Sequence, residues 1–223
     1  MSHKKQGYRF ENDHTREFLE TVSIPYWETI QTIPVNVEIE AERLVLNLEN
    51  AKQILSKANK ISVKDCVCRV KFGHCDAPVN VCIHMDKVAE RLIAKGNARE
   101  ITLSEALDIL ELTHKIGLVH NAMTIAEVYE PGVINGICSC CSCCCSQLSA
   151  LLRFGLTPHL LKPLMIQVTN VSDCIECGIC AERCHFGARR MINGSLSFNP
   201  GLCFGCGLCV STCPTNAITL VDK

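Results

Sequence analysis

The chain has no excess of either charge. Over 223 residues it carries 22 lysines and arginines against 23 aspartates and glutamates, a formal net charge of −1. A protein that grips nucleic acid needs a basic face for the phosphates, and none is legible here. Also missing is any apolar run of about 18 residues, the length a helix needs to cross a bilayer, so the sequence predicts no membrane span. The opening residues, MSHKKQGYRFENDH, are charged throughout and contain neither an apolar stretch nor a small-residue cleavage site. That predicts no export leader and a cytoplasmic location. Glycine-rich phosphate loops are absent too, both the dinucleotide fingerprint and the P-loop, so the chain is not expected to oxidise a nicotinamide nucleotide or use ATP by itself.

What is abundant is cysteine, with 18 residues. A chain of this length builds one or two domains with a core large enough to fold without covalent staples, so size does not explain the thiols. A disulfide framework belongs to secreted chains. Here six of the cysteines, Cys138, Cys140, Cys141, Cys143, Cys144 and Cys145, fall within eight residues. Thiols that close in sequence do not readily meet disulfide geometry. Metal ligation in a reducing compartment accounts for both observations.

The apolar periodicity outlines a scaffold between the cysteine groups. It predicts a short helix at 15–22 and a strand at 33–39, where Val35, Val37 and Ile39 alternate with polar residues. A helix over 49–60 follows from the spacing of Ala51, Ile54, Leu55 and Ala58, and another over 85–95 from Val88, Leu92 and Ile93, with Gly96 as its stop. Ser104 reads as the N-cap of a third, with Glu105 in its first turn, Ala106, Leu107, Leu110 and Ile116 as its buried face and Gly117 at its end. A short strand at 118–120, turns at Pro131-Gly132 and Asn135-Gly136, and a helix over 148–161 interrupted by Gly155 and Pro158 complete this part. The expected fold class is α+β in three parts: an arm and strand at 1–40, a mainly helical cysteine-rich domain at 41–162, and a β-α-β repeat unit at 163–223.

The tail repeats itself. Cys174, Cys177, Cys180 and Cys184 recur as Cys203, Cys206, Cys209 and Cys213, each shifted by 29 residues, and Gly178 and Ala188 recur as Gly207 and Ala217. Both halves read CxxCxxCxxxC, whereas zinc sites more often use two separated CxxC pairs. Over residues 163–223 the chain resembles the bacterial two-cluster ferredoxins. The resemblance implies two 4Fe-4S clusters, one held by Cys174, Cys177, Cys180 and Cys213 and the other by Cys203, Cys206, Cys209 and Cys184. Pro214 follows Cys213 as in that family, but His185 stands where a second proline is common. His185 is read as a surface substitution; the sharper alternative is a protonatable group that makes a cluster's potential depend on pH. Gly178, Gly205 and Gly207 are expected to let backbone N–H groups approach the cluster sulfurs. Ile175, Ile179, Phe204 and Leu208 are expected to keep water out. Asn193-Gly194 reads as a hairpin turn joining the halves.

Ten thiols remain upstream. Cys66, Cys68, Cys75 and Cys82 form one group, and the run CSCCSCCC from Cys138 to Cys145 forms the other. They suffice for two four-ligand clusters with two to spare, for one larger cluster, or for one cluster and a zinc ion. Around them the segments IPVNV, CVCR, CDAP, VCIH, EALDILELTHKIGLVHN and ICSCCSCCC, within about 33–150, resemble a group of anaerobe proteins described only as 4Fe-4S-binding. That resemblance implies metal ligation and names no substrate. The expectation is at least one further iron–sulfur cluster held jointly by both groups, with zinc at the first group as the runner-up.

Several single residues invite a role. His74, His84, His114 and His120 lie near or between the cysteine groups, and a histidine ligand raises a cluster's potential. Arg69, directly after Cys68, is placed either to shield cluster charge or simply on the surface. Tyr26 and Trp27 read as anchors of the arm. The leading functional expectation is an electron-transfer protein or subunit passing low-potential electrons from a donor protein to an acceptor protein. The alternatives are a reductase with a catalytic upstream cluster, or a metal-handling or redox-sensing module.

Overall fold

The computed structural model describes residues 43–123, 133–155 and 165–223. The helix expected at 15–22, the strand at 33–39, the Tyr26-Trp27 pair, Pro131-Gly132, Pro158 and Pro163 lie outside these residues.

The upstream part is built on an antiparallel sheet. In chain order it runs β1 (Arg43–Leu46), α1 (Leu48–Leu55), β2 (Ile61–Asp65), α2 (Val67–Phe72), β3 (Asn80–Met85), α3 (Asp86–Ala94), β4 (Arg99–Glu100), α4 (Leu103–Ile116), β5 (Val119–Met123), β6 (Gly136–Cys140) and α5 (Ser146–Phe154). Six strands pair in the order β1-β5-β6-β3-β2-β4. The class is α+β as expected, and beside its helices this part carries a six-stranded sheet. Of these strands the sequence showed only the start of β5, at 118–120; β3 is hidden for a physical reason, being buried from Val81 to Met85. A strand covered on both faces shows no alternation of apolar and polar residues.

The helices lie close to where periodicity put them, with shifted ends. Asn47 caps α1 by accepting from the Asn50 N–H at 2.9 Å. The helix stops at Leu55, short of residue 60, and the carboxylate of Asp86 then accepts from the Asn59 N–H at 2.9 Å as the chain turns into β2. The cap of α4 is Thr102 rather than Ser104: its Oγ1 accepts from the Glu105 N–H at 3.2 Å. Gly117 ends that helix at φ 94°, a left-handed conformation that suits glycine. Helices α1 and α4 bury Leu55 and Leu110 against Leu46, Ile83, Met85 and Ile137 of the sheet, all at 1% exposure or less.

The tail is a small repeat. β7 (Met165–Thr169) pairs antiparallel with β10 (Ile218–Asp222), while β8 (Arg189–Ile192) and β9 (Ser195–Phe198) form a hairpin across Asn193-Gly194. Both turn residues have positive φ, 50° and 86°, as a two-residue type I′ turn requires. Helix α6 (Ile179–Arg183) lies between β7 and β8. Each half opens with a 3₁₀ turn, Val171–Asp173 or Pro200–Leu202, capped by an asparagine. Asn170 and Asn199 thus repeat at the cysteine offset, a signal present in the sequence and unused there.

The tail docks on the end of α4. Arg183 donates to the carbonyls of His114, at 2.8 Å, and Lys115. His185 Nε2 donates to the Gly117 carbonyl at 2.7 Å, and His114 Nε2 meets the Ser211 hydroxyl at 2.8 Å. His185 is therefore no plain surface substitution, because its ring is half-buried and ties the tail to the sheet unit.

Candidate metal centres

The tail's eight cysteines surround two cavities in crossed sets. Cys174, Cys177, Cys180 and Cys213 line one, beside Pro214 and Gly178. Cys184, Cys203, Cys206 and Cys209 line the other, with Phe186, Phe204 and Leu208. The 3₁₀ turns bring this about, since each delivers the chain in extended conformation to the first cysteine of its motif, Cys174 or Cys203. Gly205, at φ 64°, runs so close to β7 that a Cβ there would sit 2.5 Å from the Met165 carbonyl oxygen. Four convergent thiols around one cavity form a donor set that suits a 4Fe-4S cube.

Burial differs between the two. Cys206 is raised above the ordinary thiol range by burial, and Cys209 is pushed up by burial to about 11 although the Arg189 guanidinium favours its thiolate. Cys213 is held below the ordinary range: what little burial it has acts the other way, but the Thr215 hydroxyl and the N–H groups of Thr215, Ala217 and Ile218 point at its sulfur. Arg189, only 2% exposed, reaches Cys180 Sγ at 3.4 Å, hydrogen-bonds Gln167 and lies over Phe198. Sequence reasoning missed it, because nothing local separates a buried arginine from Arg190 beside it. The water-excluding role expected of four apolar residues holds for Leu208, at 1% exposure, but not for Ile175 or Ile179, which stand 64% and 43% exposed.

The upstream thiols gather from both groups and divide into two sets. Six stand beside one another around a ring: Cys66 lies next to Cys68 and Cys82, Cys138 next to Cys82 and Cys140, and Cys145 next to Cys140 and Cys68. Pairing of Ile83 with Ile137 between β3 and β6 explains one side, because the next antiparallel position sets Cys82 against Cys138. Neighbouring thiols and burial raise Cys82 and Cys140, and the Cys145 thiol pushes Cys68 up to about 12. Cys140 and Cys145 pack in one apolar cluster with Cys184, Phe186 and Leu208, and Cys203 and Cys206 border it. The ring therefore abuts the second tail cavity.

The other four are Cys75, Cys141, Cys143 and Cys144, whose sulfurs all lie within 4.8 Å of one another. Cys75 Sγ is 3.8 Å from Cys141 Sγ and 3.9 Å from Cys144 Sγ, and Cys143 is 3.8 Å from Cys144. Hydrogen bonds from Cys143 and Cys144, with help from Arg69, hold Cys141 down to about 6, while Cys143 and Cys144 are pushed up. Arg69 is not a surface residue. At 2% exposure it donates to the carbonyls of Pro78, at 2.5 Å, and Ser139, at 2.9 Å, and reaches Cys141 Sγ at 3.7 Å.

The histidines stand beside the thiols and serve the frame. His74 Nδ1 donates to the Cys143 carbonyl at 2.8 Å. His120 Nδ1 donates to Ser139 Oγ at 3.2 Å, Ser139 to Thr113 Oγ1 at 3.1 Å, and Thr113 to the Ile109 carbonyl at 2.7 Å, a buried relay joining β5, β6 and α4. Burial holds His84 down to about 4. The compact ligand group found among the described residues contains thiols alone.

A family model described as a 4Fe-4S binding domain matches residues 196–219, the segment that holds Cys203, Cys206, Cys209 and Cys213. No curated protein matches the chain. No helix among the described residues is long and apolar enough to cross a membrane.

Proposed function

We propose that the chain is a cytoplasmic iron–sulfur electron-transfer protein or subunit, with two 4Fe-4S clusters in the tail and a further iron–sulfur centre at the six-thiol ring. The observation that carries this reading is the crossing of the motifs, in which Cys213 joins the first cavity and Cys184 the second. In this reading Cys174, Cys177, Cys180 and Cys213 hold one cluster, and Cys203, Cys206, Cys209 and Cys184 the other, within a ferredoxin unit over 163–223. Bound there, such clusters supply one-electron chemistry at low potential.

The protein's own groups then have defined tasks. Phe186, Phe204 and Leu208 exclude water from the inner cavity. The Arg189 guanidinium offsets charge between the two cysteine sets. The amides and hydroxyl around Cys213 stabilise negative charge on the outer sulfur set. Contact of Cys140 and Cys145 with the second cavity gives electrons a short route between the ring and the tail. The exposed Cys177 marks the first cavity as the end nearest a partner surface. Donor and acceptor are separate redox proteins.

Full-length protein prepared without oxygen tests this. About twelve irons with matching acid-labile sulfide, and interacting signals in EPR of the reduced sample, are the expected result for three cubes. Colourless material devoid of acid-labile sulfide would sink the reading. About eight irons, all lost with the tail cysteines, would remove the upstream centre alone.

A further inference from the structure

We propose that Cys75, Cys141, Cys143 and Cys144 hold a single zinc ion in a closed tetrahedral site that takes no part in electron transfer. Size is the first argument. Four thiolates around one ion, with metal–sulfur bonds of about 2.3 Å, stand about 3.8 Å apart by tetrahedral geometry. The contacts here are 3.8, 3.9 and 3.8 Å. A four-iron cube forces its thiolates out to roughly 6 Å, because the cube's irons and sulfides must fit between them. This set is too tight for a cube, with all four sulfurs within 4.8 Å of one another.

Burial is the second argument. Cys141, Cys143 and Cys144 are 1%, 0% and 0% exposed, and such a site leaves no open position for a substrate or exchanging water. Closed four-cysteine sites of this kind are structural, whereas catalytic zinc keeps a coordination position free. Charge is the third. Zinc with four thiolates carries two net negative charges, and the buried guanidinium of Arg69 stands 3.7 Å from Cys141 Sγ, fixed by two backbone carbonyls.

Position separates this set from the electron route. It packs with Phe72, Ala77, Ile116 and Leu118, a different apolar cluster from the one in which Cys140 and Cys145 meet the tail. Its work is to clamp the loop after α2 onto the loop between β6 and α5. The ring's cysteines flank both loops, so the ion holds the ring's two halves in register. Loading it releases the protons of the bound thiols.

The test uses full-length protein made without oxygen in zinc-supplemented medium, analysed for zinc, iron and sulfide and by X-ray absorption at the zinc edge. The expected result is one zinc per chain with four sulfur neighbours at about 2.3 Å. In Cys75→Ser the zinc should fall at least fivefold while iron and sulfide per chain stay unchanged. Zinc-free wild-type protein, or zinc with nitrogen or oxygen neighbours, would overturn the proposal, and so would a Cys75→Ser variant that loses about four irons and their sulfide. Iron that depends on this set without matching sulfide would overturn zinc in favour of a lone iron. Because the absorption spectrum is read on wild-type protein, it decides for or against zinc even where the variant fails to fold. The tail's iron and sulfide are counted in the same sample, so this assignment and the electron-transfer reading stand or fall separately.

Discussion

At the scale of single residues, the positions that matter most are those where the backbone or a buried ring leaves no latitude. Gly205 combines φ 64° with a β7 carbonyl 2.5 Å from where a Cβ would stand. Gly205→Ala should lower the unfolding free energy by about 1–3 kcal/mol, measured by urea titration of the cluster-loaded protein. His120 is a different kind of constraint. Burial, helped by His114, holds its imidazole down to about 3, against about 6.5 in an unfolded chain. Above pH 6.5 the ring is neutral in both states and has no effect. Below it the unfolded chain gains a proton that the folded one refuses, so stability falls by up to about 1.4 kcal/mol per pH unit. Between pH 6.5 and 5 the urea midpoint of His120→Gln should therefore drop less steeply than that of the wild type; parallel slopes would exonerate the residue.

At the scale of elements, helix interiors were legible and their ends were not. The apolar stripe of α4 gave its buried face, since Ala106 and Leu110 are fully buried. The cap went to the wrong hydroxyl because Thr102 and Ser104 both suit an N-cap by type, and the choice depends on which one can face a free N–H. Thr102→Ala should cost about 1 kcal/mol and Ser104→Ala close to nothing, a difference thermal melts can resolve. β3 failed to show for the opposite reason: it is buried on both faces, His84 included, whereas β5 was legible only at its start, 118–120, because its His120 and Asn121 are buried with the rest. In contrast, the β8–β9 hairpin was legible because an Asn-Gly turn states its geometry in two residues.

At the scale of the whole molecule, the tail and the sheet unit meet through a few polar contacts and one apolar cluster. Arg183 and His185 carry much of the polar docking, onto carbonyls at the end of α4. Removing both with Arg183→Ala and His185→Ala should split unfolding into two transitions, one followed by cluster absorbance and one by far-ultraviolet circular dichroism, with the iron content of the folded protein unchanged. Coincident transitions at the wild-type midpoint would show that the apolar contact through Cys140, Cys145 and Leu208 couples the units unaided.

The sequence by itself determined that this chain handles metal, and through the 29-residue repeat it marked which eight cysteines belong to the tail. Spacing suffices there, because each half is a short unit whose cysteines lie within eleven residues of one another. Which upstream thiols share a site was decided only by the tertiary structure. Cys75 meets Cys141 across 66 residues, and Cys82 meets Cys138 because β3 pairs with β6 in one register. A shift of that register by one residue would turn the cysteines of β6 to the other face. The partition into a ring of six and a compact set of four is thus a property of strand pairing, which no local pattern of residues encodes.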